Sequence, residues 1–401
     1  MPAQPDLLWI VTTQWRGQAC GFAGDLDART PHLDAFARDS VVFEQAFSNH
    51  PFGPFARALL LTGRLCPDNG VTDYWDPLPR SAETIARRLT AAGYATAFFG
   101  KWHLAPRDRT APVVGETHAR QLVAPEDRGG FGFWEGFEGG FLLNDPWLHG
   151  TRLPAPTQFP GYQADIVCDR AAAWLQGPKP ATVHRPRFTV VSLEAPHPPY
   201  AAATPPDIRP RDPASLKLAP NVPRGDEIEA TARRELAGYH RHIEATDRAL
   251  GRLLATVDLA TTAVFVTSAH GDMHGAHGLF RKGWPFEESI RVPLVAHWPG
   301  AAPQRIHTPA SLADLPATSL ALAGAAIPPD WLGTDLRTIP PDTEREIPLS
   351  MPSAPPFDKQ CPHPWHGVRS REQLHVFHPD GRPWLRFNLR TDPAQLRNLA
   401  D

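Results

Sequence analysis

The chain has 401 residues, 42% of them hydrophobic, and a formal net charge of −3 at pH 7. That length is enough to bury the core of one large domain, with or without a small second one. The near-neutral charge and the lack of a Lys/Arg run give no indication of nucleic-acid binding. The four cysteines (Cys20, Cys66, Cys168 and Cys361) include no C-x-x-C pair, which is typical of free thiols in a reducing compartment.

The first residues of the chain give an expectation about where in the cell the protein is located. Met1–Asp6 has no basic region, and the apolar run Leu7–Val11 is too short for a signal peptide or a membrane span. We therefore expect a cytoplasmic protein without a membrane partner, in which this run is the first buried strand.

Apolar runs alternate with segments of helical spacing along the first 300 residues. Buried strands are predicted at Leu7–Val11, Val41–Phe47, Tyr94–Phe99, Phe188–Leu193, Ala263–Ser268 and Val292–His297. Helices are predicted after a Thr30 cap with Pro31 in the first turn, from Arg57 to near Gly63, from Ser81 towards Gly93, and over Arg233–Val257. The alternation predicts an α/β sandwich whose large, mostly parallel central sheet is flanked by helices.

The pattern changes near residue 301, to a helix, a proline-rich linker and short alternating strands around Gln373–Phe387. We predict one α/β domain over residues 1–300. Residues 301–401 are predicted to form a small C-terminal subdomain with a short antiparallel sheet.

Polar residues follow four of the predicted strands directly. Thr12 and Thr13 follow the first strand, Lys101 follows the strand that ends at Phe99, and His197 and His270 follow two later ones. Ligands in open parallel sheets bind at the carboxyl ends of the strands. The sequence therefore predicts that these residues share one ligand site.

A series of sequence segments resembles the signatures of one family. The segments are Trp9–Gly24, Thr30–Asp34, Phe55–Arg64, Gly100–Leu104, Ala195–Tyr200, Thr267–Leu279, Lys282–Pro293 and Leu385–Ala400. In this order they are similar to the motifs of the sulfatase family, within the alkaline-phosphatase-like superfamily, and they cover nearly the whole chain. The resemblance implies the α/β fold already predicted from the pattern.

The same resemblance implies which positions would bind a divalent cation. Two adjacent aspartates bind it in the family, and the aligned residues here are Thr12 and Thr13. A further aspartate aligns with Ala269, so that His270 is the only retained residue of the metal set. Calcium and magnesium require several oxygen ligands. We therefore predict a degenerate metal site that holds neither calcium nor magnesium.

The family nucleophile is a Cys or Ser four positions before an arginine, and the cysteine is converted to formylglycine. Counting back from Arg57 gives Gly53, and sliding the frame by one gives Phe52. Neither side chain can attack an ester or become formylglycine. Without nucleophile or cation, ordinary sulfatase turnover is predicted to be absent, with no cofactor.

The basic residues of the family's pocket are retained. In the family, residues matching Arg57, Lys101, His103, His197 and Lys282 surround the anion, orient the nucleophile and protonate the leaving group. Clustered without carboxylate partners, they predict a strongly positive pocket for a sulfate, phosphate, sulfonate or carboxylate. Substrate binding is assigned to Arg57, Lys101, Lys282, His270, Thr13 and Gly53, and proton transfer to His103 and His197.

Three functions remain open from the sequence. The first is a metal-independent enzyme that binds an anionic small molecule and uses histidine as acid or base. The second is a non-catalytic homologue, and the third is an active sulfuric or phosphoric ester hydrolase with relocated catalytic residues. Three further alternatives concern single groups of residues. The basic residues could serve packing alone, and a transition metal could bind at Asp272, His274 and His277. Cys20 or Cys66 could act as a catalytic thiol. Substrate identity and oligomeric state cannot be predicted.

Overall fold

A computed structural model of the chain describes residues 4–177, 185–225 and 227–400. Its strands are β1 (Asp6–Thr12), β2 (Val41–Phe43), β3 (Ala46–Phe47), β4 (Ala95–Lys101), β5 (Phe133–Phe137), β6 (Trp147–Gly150), β7 (Thr157–Gln158), β8 (Arg187–Ser192), β9 (Thr262–Ser268), β10 (Arg291–Val292), β11 (Leu294–His297), β12 (Gln304–Ile306), β13 (Ala310–Ser311), β14 (Ile347–Met351), β15 (Trp365–Arg369), β16 (Gln373–Phe377) and β17 (Pro383–Asn388).

The helices are α1 (Pro31–Arg38), α2 (Gly53–Thr62), α3 (Ile85–Ala91), α4 (Glu116–Ala119), α5 (Gln163–Gln176), α6 (Glu227–Leu254), α7 (Glu287–Ile290) and α8 (Asp314–Leu322). In the part of the chain that the structure describes, no helix combines the length and apolar character needed to cross a bilayer.

The large sheet has ten strands in the order β12-β2-β11-β9-β1-β8-β4-β5-β6-β7. Its central strands, from β9 to β5, are all parallel, and the antiparallel pairs lie towards the two edges. Parallel strands require long crossover connections, which place helices over the sheet. The predicted α/β class with a large, mostly parallel sheet and a small antiparallel C-terminal sheet is confirmed.

The core lies on both faces of this sheet. Along β1, Leu7, Trp9 and Val11 point into one buried apolar cluster, and Leu8 and Ile10 point into the other. Successive side chains of a strand alternate between faces, so a strand covered on both sides must be apolar throughout. Burial on both faces is the physical reason for the continuous apolar run that predicted this strand.

The C-terminal residues contribute to three sheets. Strands β14 to β17 form a separate antiparallel sheet, and β13 pairs with β3 in a three-stranded sheet. Strand β12, by contrast, pairs in parallel with β2 at the edge of the large sheet, and α8 contacts α2 and α3. The proposed division after residue 300 stays a prediction.

Several predicted elements differ from the observed ones. Helix α3 begins at Ile85 instead of Ser81, α6 begins at Glu227 instead of Arg233, and the predicted strand Val292–His297 is divided into β10 and β11. Helix α2 begins at Gly53, four residues before Arg57, because Phe52 is extended and Pro54 lies in the first turn, where a missing N–H costs nothing. The predicted strand Val41–Phe47 is divided into β2 and β3, which belong to different sheets. The division falls at Glu44 and Gln45, where the chain passes from one sheet to the other.

Candidate anion-binding site

A cavity of about 400 Å³ lies where the loops after β1, β4, β8 and β9 meet the start of α2. It is lined by seven of the residues predicted from the sequence, namely Thr13, Gly53, Lys101, His103, His197, His270 and Lys282. The eighth, Arg57, reaches the same place through a hydrogen bond to Thr13. The carboxyl ends of the strands therefore bring the predicted residues together.

Arg57 lies in the second turn of α2 and is 5% exposed. Its Nη2 donates to Thr13 Oγ1 over 2.8 Å, and that hydroxyl donates in turn to the Leu193 carbonyl oxygen over 2.7 Å. Burial lowers the pKa of Arg57 to about 10. The guanidinium is still charged at neutral pH, and its position is fixed by α2 and β1.

Lys101 ends β4 and forms a buried ion pair with Glu194, with Nζ 2.7 Å from Oε1. Burial lowers the pKa of Lys101 to about 8, in spite of the attraction of Glu194. The prediction that the basic residues lack carboxylate partners is therefore wrong for Lys101. Glu194 follows β8 directly, and the parallel pairing of β4 with β8 places the two side chains together.

Lys282 lies in the loop after β9 and is bound by uncharged groups. Its Nζ is 2.5 Å from Gln14 Oε1 and 2.9 Å from His197 Nε2. Burial, with a smaller contribution from the positive charge of Lys101, lowers its pKa well below the ordinary value. The two lysines of the cavity therefore have different electrostatic surroundings.

His103 has a nitrogen without a hydrogen-bond partner. Its Nδ1 is buried and unpartnered among the described residues, and Nε2 lies 3.4 Å from the Tyr74 hydroxyl. A Cβ at position 53 would lie 2.9 Å from this Nδ1, so glycine allows the ring to lie this close to the start of α2. Burial and the charge of Lys101 lower the pKa of His103, and the ring is neutral at neutral pH. A neutral imidazole can accept a proton.

The other two histidines are also neutral, since burial lowers the pKa of each. His197 Nδ1 donates to the Pro198 carbonyl oxygen over 2.8 Å, Nε2 contacts Lys282, and the ring stacks on Phe141 at 4.6 Å. Both of its nitrogens are occupied. His270 Nδ1 donates to a backbone carbonyl oxygen over 3.0 Å, and its Nε2 has no partner among the described residues.

The donors at the aligned metal positions do not fit calcium or magnesium. Thr12 Oγ1 donates a hydrogen bond to the Thr267 carbonyl oxygen over 3.2 Å, and the Thr13 hydroxyl accepts one from Arg57. The side chain of Ala269 has no atom that could bind a metal. Hard divalent cations take six or more ligands, nearly all oxygens. No cluster of three or more His, Cys, Asp or Glu side chains suited to a metal occurs within residues 4–177, 185–225 and 227–400.

Sequence reasoning missed two polar residues and the aromatic walls of the cavity. Gln14 and Glu194 lie within two residues of a strand end, and the rule that selected Thr13 would have selected them too. The walls of Tyr74, Phe141 and Phe357 come from distant segments that contain no motif. Only the packing of the folded chain brings these rings to one cavity.

Comparison with protein families gives matches over nearly the whole chain. A family model described as Sulfatase matches residues 5–325, and one described as N-sulphoglucosamine sulphohydrolase, C-terminal, matches residues 275–401. An ulvan-active sulfatase from Formosa agariphila is 33% identical over 99% of this chain and 77% of its own length. A choline-sulfatase from Rhizobium meliloti is 28% identical, over 99% and 83% respectively.

Solved structures also match nearly the whole chain. The putative sulfatase yidJ from Bacteroides fragilis superposes with a TM-score of 0.86, at 26% identity over 99% of this chain and 91% of that one. A structure solved in complex with its substrate D-glucosamine-2-N,6-O-disulfate has a TM-score of 0.80 at 20% identity, over 99% and 93%. From its sequence and its fold, the chain belongs to the sulfatase family.

Proposed function

We propose that the chain binds an anionic small molecule in this cavity without a divalent cation, as a metal-independent enzyme in which His103 exchanges a proton with the ligand. The observation that carries the proposal is the buried, unpartnered Nδ1 of His103, a residue that lines the cavity beside Gly53. A buried nitrogen without a partner is costly unless a ligand or water satisfies it. A ligand atom in the cavity beside this nitrogen would be within hydrogen-bond reach of a neutral base.

Two fixed cations support anion binding. Arg57 and Lys101 are both buried, and each is oriented by a hydrogen bond of 2.8 Å or less. Gly53 also begins α2, a helix of ten residues, whose N-terminus favours negative charge. Charge-assisted hydrogen bonds in a site of low polarity are stronger than in water. A sulfate, phosphate, sulfonate or carboxylate matches this set of donors.

The residues at the aligned positions argue against the ordinary hydrolysis of the family. Position 53 has no side chain to attack an ester, and the residues at 12, 13 and 269 do not form a cation site. The relatives named above as sulfatases act on sulfated compounds, which supports a sulfate-like anion as the ligand. We infer that the pocket was kept while the hydrolytic chemistry was lost.

Calorimetric titration of sulfate and phosphate into the purified full chain tests binding. We expect binding that is unchanged by a chelator, with no stoichiometric metal by elemental analysis. Lys101→Met should weaken it at least about tenfold, because one charged donor is lost, and Lys217→Met, at an exposed position outside the cavity, is the control. Stoichiometric calcium or magnesium, together with chelator-sensitive hydrolysis of an aryl sulfate, would overturn the proposal.

The role of His103 is tested by the protons exchanged when phosphate binds. Titrations in buffers of different ionisation enthalpy measure this number directly. We expect His103→Gln to abolish the exchange and to leave the affinity for phosphate within about threefold. Equal proton exchange in both proteins would contradict a proton-transfer role, and a non-catalytic binding protein would then be the better description.

A further inference from the structure

Lys282 differs from Lys101, the other lysine that lines the cavity, because no carboxylate in the described part of the chain forms an ion pair with it. Among the described residues its Nζ contacts two polar atoms, Gln14 Oε1 and His197 Nε2. The side chain is 6% exposed and lines the cavity. A buried ammonium without an ionic partner is costly, whereas a neutral amine is not.

The surrounding hydrogen bonds determine the direction of both contacts. His197 Nδ1 lies 2.8 Å from a carbonyl oxygen and must donate to it, so Nε2 of the neutral ring is an acceptor. Gln14 Nε2 donates to Asp272 Oδ2, which leaves Gln14 Oε1 as an acceptor. Asp272 also accepts from the Tyr200 hydroxyl, and this fixes the orientation of the glutamine amide.

Lys282 therefore donates two hydrogens to two acceptors. A neutral amine has two hydrogens and one lone pair, so these contacts satisfy its donors and leave the lone pair free. The ammonium has three hydrogens, and its third would have no nitrogen or oxygen partner in the described part of the chain. A desolvated lysine beside other cationic groups is the environment in which lysine acts as an amine nucleophile.

We propose that Lys282 is such a nucleophile and forms an imine with an anionic carbonyl compound, of which a 2-oxo acid is the simplest example. Arg57 and Lys101 would hold the carboxylate, so this step rests on the anion binding proposed above and adds a covalent bond to it. Nζ attacks the carbonyl carbon and forms the C–N bond. One amine proton passes through His197 Nε2 to the carbonyl oxygen. The second is lost as that oxygen departs as water, leaving the N=C bond. The step needs no oxidant or reductant.

Reductive trapping tests this proposal on the full chain. The protein is incubated with pyruvate and cyanoborohydride, and the adduct is located by peptide mapping, which is simple because the chain has only five lysines. We expect one adduct, at Lys282, which excess sulfate suppresses and which acetone, a neutral carbonyl compound, forms at least about tenfold more slowly. Labelling of the exposed Lys217 at an equal rate, or no adduct at all, would overturn the proposal.

Two variants separate reactivity from folding. Lys282→Met removes the amine and should abolish the adduct. The double variant Gln14→Glu/Asp272→Asn puts one carboxylate at the contact to Nζ, which favours the ammonium, and keeps a donor for the oxygen that replaces Gln14 Nε2. It should slow trapping about tenfold or more at neutral pH, with recovery at higher pH. An unshifted pH profile in this double variant would contradict the neutral-amine assignment.

Calorimetry with sulfate on the same preparations distinguishes this proposal from the previous one. Sulfate binding without trapping would overturn imine formation alone. If the unmodified protein neither bound sulfate nor formed the adduct, both proposals would be overturned. Lys359→Met is the matched control for the trapping experiment, because Lys359 does not line the cavity and should not affect the adduct.

Discussion

The cavity contains two buried lysines, and their side chains have different hydrogen-bond partners. On the side of β4 and β8, Lys101 is buried against Glu194 and forms an ion pair of 2.7 Å. On the side of β1 and β9, Lys282 contacts an amide oxygen and an imidazole nitrogen. Both lysines are nearly inaccessible to solvent. A buried lysine with a carboxylate keeps its charge more readily than one without, which agrees with the proposed roles of Lys101 as a charged donor and Lys282 as a neutral amine.

The largest expected effect comes from breaking the ion pair. Lys101→Met leaves Glu194, a fully buried carboxylate, without its partner. We expect the free energy of unfolding in urea to fall by about 3 to 5 kcal/mol. The double variant Lys101→Met/Glu194→Gln should recover part of this loss. If the single variant were as stable as the double, Glu194 would not depend on Lys101 for its charge.

A carboxylate added on the side of Lys282 should also be costly. Ala269 is fully buried within an apolar cluster, and Ala269→Asp would place a carboxylate there. We expect a loss of about 3 kcal/mol in urea unfolding that calcium does not reverse. Ala269→Ser, which adds a hydroxyl without charge, is the control. Recovery of stability with stoichiometric calcium would show that the position can still serve a metal site.

One methyl group at position 53 would contact both His103 and Arg57. In Gly53→Ala the new Cβ would lie 2.9 Å from His103 Nδ1 and 3.4 Å from Arg57 Nη1. We expect sulfate affinity to fall about tenfold, while helix propensity favours alanine by about 1 kcal/mol. Calorimetry and urea unfolding together separate the two effects. Unchanged affinity would mean that the anion does not occupy the space beside His103.

The smallest expected effect is a dependence on pH above neutrality. Lys101 has a pKa of about 8 in the folded protein against an ordinary value of 10.5. Sulfate affinity should therefore decline as pH rises through about 8. Between these two values the unfolded chain binds more protons, so the contribution of Lys101 to the free energy of unfolding rises with pH. An affinity that stays constant to pH 9 would contradict the assignment of Lys101 as the charged donor.

Much of the fold could be predicted from the sequence, because buried parallel strands require continuous apolar runs. Leu7–Val11 and Ala263–Ser268 were predicted correctly for that reason. The start of α2 was placed too late, since the first turn from Gly53 contains a glycine and a proline, both of which are poor helix formers in general. Here the proline lies in the first turn, where it is tolerated.

For the site, the rule about strand ends predicts which residues lie together around the cavity, but it does not give their partners. The ion pair between Lys101 and Glu194 depends on which strands are neighbours, and sheet order cannot be obtained from a strand pattern alone. A glutamine has no charge and no usual catalytic role, so its residue type does not identify Gln14 as part of a site. Its importance lies in the orientation of its amide, which only the three-dimensional network determines.

The position of strand β12 determines whether the protein can be truncated after residue 300. It forms the outer edge of the ten-stranded sheet by pairing with β2. A protein truncated after residue 300 would lack this strand, and the backbone N–H and C=O groups of β2 would be exposed along a new edge. Unprotected edges pair with other chains. We expect such a truncation to aggregate rather than yield a soluble fragment with an intact cavity, so ligand screening should use the full chain.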